Sequence, residues 1–274
     1  MNLKAAVVQV TSADDVAANL ATALALLEQA HAQGCRLAVL PENFAFMGAR
    51  ERDKLALAES PGRGAIQDFL SQAAARLQLW IVAGTVPLAV PGNAEKVYAA
   101  SLVYDDAGAC VARYDKIHLF DVQLPERSET YRESASIEAG VPRPLAVPTP
   151  CGILGLSVCY DLRFPELYRG LAALGAEIIT VPSAFTATTG AAHWLPLLRA
   201  RAIENQCFVL APGQCGTHPG GRSTWGHSLI VDPWGAVLAE LGDTPGIAVA
   251  TLDFDRLAQV RTSFPALRHR RLSL

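Results

Sequence analysis

The order of apolar runs predicts an α/β protein in which helices cover a mixed β-sheet, all within one domain. Two observations carry this. Short β-rich runs alternate with longer Ala- and Leu-rich stretches, the pattern of helices layered on sheet. Two pairs of runs are also joined by hairpin turns, so antiparallel pairing must accompany the parallel pairing that crossover helices produce. A chain of 274 residues, 51% hydrophobic and 18% charged, can bury a sizeable core. No linker, repeat or low-complexity stretch divides it, so one domain spanning residues 1–274 is expected.

In chain order, a strand over Ala5 to Val10 precedes a helix over about Asp15 to Gln33. A buried strand, Leu37 to Leu40, ends at Pro41-Glu42. A helix over Gly64 to Leu77 is followed by β-like runs at Trp80 to Pro87, Val97 to Tyr104 and Cys110 to Tyr114, the last two joined by the turn signal Asp105-Asp106-Ala107-Gly108. From Pro125 to Pro150 the pattern fails; long loops of this kind in compact domains are often functional. Order returns with a strand over Ile153 to Tyr160, a helix over Pro165 to Leu174, a strand over Glu177 to Pro182, a helix over Ala191 to Asn205 and a strand over Cys207 to Ala211. A hairpin, His227 to Val231 with Ala236 to Glu240 around Asp232-Pro233-Trp234-Gly235, and a strand over Ile247 to Asp253 complete the reading.

Composition excludes several function classes. A net charge of -3 offers no concentrated basic face for nucleic acid, and the one dense basic run, Arg268 to Arg271, is short and terminal. No stretch approaches the roughly 20 apolar residues that span a bilayer, and the start MNLKAAVVQV lacks the features of a secretory leader, so a cytoplasmic protein is expected. The six cysteines are unclustered and none is spaced C-x-x-C; the six histidines include no H-E-x-x-H. Neither disulfides nor a metal are expected. Without a dinucleotide fingerprint or a phosphate loop, no cofactor is implied.

Three polar residues fall at the ends of predicted strands: Glu42 in AVLPENF, Lys116 in ARYDKIHLFD and Cys159 in LGLSVCYDLRFPE. Singly, each has an ordinary reading as a solvated charge or an inert core thiol. Together they supply what thiol catalysis needs, since a thiol becomes strongly nucleophilic on losing its proton and a carboxylate base or a nearby cation favours that loss. A helix starting at Pro165 would place a positive N-terminus a few residues beyond Cys159. Gly155-Leu156-Ser157-Val158-Cys159 imitates a serine-hydrolase elbow, but the last glycine is replaced and Ser157 lies inside the predicted strand. A serine triad is therefore rejected.

With Glu, Lys and Cys motifs in that order, LPENF, YDKIHLFDV and SVCYDLRFPELYR, the chain resembles the nitrilase or carbon-nitrogen hydrolase superfamily nearly end to end. VPSAFTATTGAAHW, LLRARAIENQCFVLAPGQCG, WGHSLIVDPWG and FPALRHRR make it most similar to the Nit branch, nearer the deaminated glutathione amidases than the ω-amidases acting on α-ketoglutaramate. One departure is Ala99 in KVYAASLVYD, where many members carry asparagine after the aromatic, which leaves the pocket near Tyr98 undefined.

The resemblance implies an αββα sandwich dimerising to αββα-αββα, with Phe164 to Gly170 and the tail from Phe264 at the interface. It implies a thiol-dependent amidase in which Cys159 attacks an amide carbonyl, Glu42 is the general base, and Lys116 with the Tyr160 amide holds the oxyanion. Glu133, in YRESASIEAG, looks like the second glutamate supporting Lys116; read alone it would be a surface residue of an irregular loop. Arg163 is a candidate clamp for a substrate carboxylate, or else an ion pair with Glu166 or Asp161. Phe185, Thr186 and His193 are candidate pocket residues, though Phe185 and His193 could equally be core or capping groups. The expected substrate is a small carboxylate-bearing amide such as deaminated glutathione. The alternatives are an ω-amidase, a nitrilase or an N-carbamoyl amino acid hydrolase, and, outside enzymes, a silent binding or assembly protein of the same fold.

Overall fold

A computed structural model describes residues 2–124 and 129–272. The first part of the chain builds one helix-covered sheet. Strand β1 (Asn2–Gln9) leads to helix α1 (Val16–Ala32), whose N-cap Asp15 accepts the Ala18 N–H, then to β2 (Leu37–Val39) and helix α2 (Ala65–Leu77). Strands β3 (Trp80–Val82), β4 (Val86–Val90), β5 (Asn93–Tyr104) and β6 (Cys110–Asp115) follow. The predicted run Trp80 to Pro87 is thus two strands, because Gly84 turns the chain in the left-handed region at φ 55°. The β5–β6 turn forms as expected, with Asp105 Oδ1 accepting the Ala107 and Ala109 amides.

The stretch that lacks a sequence pattern holds β7 (Asp121–Leu124), β8 (Glu129–Arg132) and β9 (Ala146–Thr149); residues 125–128 lie outside the described ones. The second half then contributes β10 (Gly152–Leu156), α3 (Pro165–Ala173), β11 (Ile178–Thr180), α4 (Ala187–Asn205) and β12 (Phe208–Ala211). After them come the short pair β13 (Cys215–Thr217) and β14 (Ser223–Trp225), the hairpin β15 (Leu229–Val231) with β16 (Val237–Glu240), strand β17 (Gly246–Asp253) and helix α5 (Phe254–Ser263). Helix α5 is absent from the sequence reading, although Asp253 caps it by accepting the Asp255 and Arg256 amides.

Sheet one runs β17-β1-β2-β3-β5-β4 with β6 beside β5; sheet two runs β16-β15-β12-β11-β10-β9. Both are mixed: β1-β2-β3 and β10-β11-β12 are parallel, and their flanks antiparallel. Strand alternation sets the layers. Ala5, Val7, Leu37 and Val39 point between the sheets, where they join one core with Leu154, Leu156 and Ile178. Ala6, Val8, Ala38 and Leu40 point the other way, onto Leu27 of α1 and Leu70 of α2. Helices α3 and α4 cover sheet two through Tyr168, Leu171 and Leu198. The result is the αββα sandwich, and each fully buried Val, Leu or Ile side chain in it contributes about 1.5–3 kcal/mol.

Candidate active site

Glu42 follows β2 and is 3% exposed. Its loop is fixed from the neighbouring strand end: a Cβ at Gly84 would stand 1.9 Å from the Pro41 carbonyl oxygen, and the Asn43 N–H donates to Thr85 Oγ1 at 2.9 Å. Lys116, 1% exposed, directly follows β6, and its amide donates to Ala99 O. Glu133 opens a short helical turn after β8. The Lys116 ammonium donates at 2.8 Å to Glu42 Oε1 and to both oxygens of Glu133. Glu133 is anchored in turn by the Phe120 N–H, 2.6 Å from its Oε2.

Cys159 arrives from sheet two. Strand β10 ends at Leu156, not at Tyr160 as the apolar run suggests, and the chain turns so that Cys159 opens a 3-10 segment, Cys159–Arg163, at φ 47°. The turn is a strand-to-helix elbow carrying cysteine, and holding a non-glycine residue there costs on the order of 1–3 kcal/mol. Buried Asp161 pins it, accepting the Val158 N–H at 2.9 Å, the Tyr114 hydroxyl at 2.7 Å and the His118 N–H at 3.0 Å. Ser157 is indeed no nucleophile: its buried hydroxyl pairs with Tyr168 and donates to Thr180 O. The Cys159 N–H donates to Pro182 O, so the next free amide in the elbow is that of Tyr160.

Cys159 and Glu42 line the same cavity, and the Ala184 N–H donates to Glu42 Oε2 at 2.9 Å. Burial opposes ionisation of Glu42, but the charge and hydrogen bond of Lys116 outweigh it and hold the carboxyl below its ordinary range. Lys116 is held well above its ordinary value, since Glu133 and Glu42 overcome the cost of burying its charge. Burial first, and the Glu42 carboxylate second, push the Cys159 thiol far up against the weaker pull of Lys116. Two carboxylates face the single Lys116 charge, and helix α3 starts at Pro165 as the sequence predicts.

A cavity opens onto Glu42, Lys116, Glu133 and Cys159 and is also lined by Tyr160, Arg163, Phe185 and Thr186. Arg163 pairs with neither Glu166 nor Asp161; it packs over the Phe185 ring at 5.4 Å and meets His193 Nδ1 at 3.1 Å. His193 is exposed on α4, which begins at Ala187, earlier than Ala191; it does not line the cavity but meets Arg163. Thr186 lines the cavity, but its hydroxyl caps α4. Tyr98 and Ala99 border a separate cavity. Sequence reasoning missed Asn43, Glu51, Lys54, Phe120, Tyr131, Thr189 and Arg222. Asn43, Phe120, Tyr131 and Thr189 lie inside quoted motifs, whereas Glu51, Lys54 and Arg222 carried no signal. Among the described residues no cluster suited to a metal is found, and no helix is long and apolar enough to cross a membrane.

The carbon-nitrogen hydrolase family model matches residues 4–262. The chain belongs to this family. It is 48% identical over 267 residues to a deaminated glutathione amidase of Synechocystis sp., covering 97% of each chain. It superposes on the crystal structure of the Caenorhabditis elegans NitFhit protein with a TM-score of 0.92 at 38% identity, covering 98% of this chain and 65% of that one. Another similar structure is a mutant amidase from Nesterenkonia sp. AN1, with a TM-score of 0.81, 29% identity, and coverage of 98% and 94%. It carries the acetamide moiety of fluoroacetamide bound covalently to its active-site cysteine. As a carbon-nitrogen hydrolase, this chain is an enzyme of C–N bond cleavage with a mixed α/β sandwich fold.

Proposed function

We propose that this chain is a thiol amidase cleaving small carboxylate-bearing amides, with deaminated glutathione as the leading substrate, through a thioester on Cys159. One observation carries the reading: a buried thiol shares one cavity with Glu42, which is held ionised by its 2.8 Å ion pair with a buried Lys116. Because the resting thiol is neutral, attack and deprotonation are coupled. Cys159 Sγ bonds to the carbonyl carbon as its proton passes to Glu42. The oxyanion is held by the Lys116 ammonium and the Tyr160 N–H; losing one such donor costs about 2.7–4 kcal/mol in the barrier. As the C–N bond breaks, Glu42 returns the proton to the departing nitrogen. Glu42 then takes a proton from water, which hydrolyses the thioester to a carboxylic acid and restores the thiol.

Glu133 keeps Lys116 charged and aimed, and Arg163, rimmed by the Phe185 ring, serves as a planar fork for the carboxylate of the acyl half. His193 orients Arg163, and Thr186 shapes the wall through the α4 cap. The name of the Synechocystis relative and its near-complete overlap support deaminated glutathione over a nitrile or carbamoyl substrate. Both halves of the chain build the site, so residues 1–274 act as one catalytic domain. Six free thiols suit a reducing, cytoplasmic setting. Exposed Leu174, Ile203, Trp234 and Phe264 suit a homodimer formed along α3, α4 and the C-terminal segment.

The test is a parallel assay of deaminated glutathione, α-ketoglutaramate, an N-carbamoyl amino acid and a nitrile. Cys159→Ala is expected to abolish turnover without altering the fold, and mass spectrometry to detect an acyl adduct on Cys159. Appreciable residual activity in the variant would sink the nucleophile assignment.

A further inference from the structure

The cavity over Cys159 does not end there. It adjoins a wider one, about 330 Å³ against about 30 Å³ over the nucleophile, and the two share Asn43, Glu51, Lys54, Tyr131 and Arg222 as a common wall. We propose that this outer cavity is the leaving-group subsite, and that Arg222 and Lys54 bind the terminal carboxylate of a short peptide attached through the scissile nitrogen. The inference rests on the amidase reading above and adds to it the half of the substrate that departs as an amine.

Three observations carry it. The first is direction. Arg222 Nη2 donates to Ala184 O at 2.9 Å, and the Ala184 N–H holds Glu42 Oε2. Arg222 is therefore built onto the side of Glu42, the group that must hand a proton to the departing nitrogen. Arg163 lines only the inner cavity and follows Cys159 on the elbow, which suits the acyl half.

The second is charge. Glu51 sits between the two cations, 3.0 Å from Lys54 Nζ and 3.4 Å from Arg222 Nη1. Among the described residues that line the outer cavity, Lys54 and Arg222 thus set two positive charges against the one negative charge of Glu51, a local excess that a ligand carboxylate can meet. Arg50 adds nothing to this balance, because it is paired with Asp53.

The third is an unmet donor. Among the described residues, buried Arg222 Nε has no hydrogen-bond partner, while the guanidinium lies 5.3 Å from the Tyr131 ring centre. Such an orphan donor is costly unless a ligand satisfies it. The far wall is a tight loop at Pro219–Gly221, where a Cβ on Gly220, at φ 80°, would stand 2.6 Å from Ala49 O. Backbone of this loop thus lines part of the cavity wall.

The experiment compares three amides of one α-keto dicarboxylic acyl group: the primary amide, the amide of a dipeptide ending in a free carboxylate, and the same dipeptide ending in a carboxamide. Wild-type enzyme should prefer the carboxylate over the carboxamide in kcat/KM by at least ~10-fold, the scale of a charge-assisted hydrogen bond. Arg222→Gln and Lys54→Met should each bring that ratio toward one. Since the ratio is internal, any disturbance of Glu42 cancels. A ratio near one in the wild type, or one that neither substitution moves, overturns the proposal. Cleavage of the primary amide alone also overturns it and leaves the amidase reading standing. If no amide is cleaved, the amidase reading fails instead. Calorimetry with the free dipeptide and its carboxamide then decides: a carboxylate preference lost in Arg222→Gln supports the subsite, and no preference overturns it.

Discussion

Lys116 is among the largest side chains buried in this molecule, and its charge survives because two carboxylates face it at 2.8 Å. Removing one member of a buried pair leaves the others uncompensated, at a cost of about 3–5 kcal/mol. The pH dependence follows by sign. In the wild type Glu42 is held below its ordinary value, so its contribution to stability is complete above the ordinary carboxylate range and fades as pH falls through the lowered value. In Lys116→Met, burial becomes the leading influence and the folded Glu42 value moves above the unfolded one. The variant should then lose stability as pH rises from about 4 to about 7, where the wild type gains it. Urea midpoints across that range measure this, and parallel curves for the two proteins would contradict it.

The elbow after β10 is held from outside itself. Asp161 gathers Val158, Tyr114 and His118, tying the turn that carries Cys159 to β6 and to the segment that carries Lys116. Four contacts on one carboxyl group, the His118 Nδ1 at 2.7 Å included, make this a hub that stands or falls as a unit. Asp161→Ala leaves them unsatisfied, at about 1–3 kcal/mol each. A loss of at least about 3 kcal/mol in urea unfolding is expected, with turnover impaired as the elbow relaxes. An unchanged midpoint would show the hub to be dispensable. Glycine acts at the same scale: at Gly84, any side chain would strike the backbone just before Glu42.

Across the whole molecule, each sheet delivers part of the site. Glu42 and Lys116 leave the ends of β2 and β6 in sheet one, and Cys159 and Ala184 leave β10 and β11 in sheet two. The contacts of the proposed site therefore cross the inter-sheet core, and the site exists only when both sheets have packed. The exposed apolar side chains along α3, α4 and the C-terminal segment make the dimer the expected species in light scattering at micromolar concentration. A monomer under those conditions would remove that assignment.

The sequence by itself determined the layering, the three motifs and the chemistry they imply, because alternation of apolar residues and residue type are local properties. It located Glu42, Lys116 and Cys159 at element ends, and the extra support of Glu133 came through family likeness. It overran β10 because Ser157 and Val158 are as apolar or as buried as a strand requires, and their left-handed successor has no marker other than a glycine that is absent here. It misplaced the start of α4 for want of the Thr186 cap. Only the tertiary structure decided the resting state of the thiol, since burial and the balance of three charges exist only after packing. The same holds for Arg222: nothing around it in GGRSTWG points to chemistry, and it becomes part of the site because a distant strand brings Ala184 within 2.9 Å.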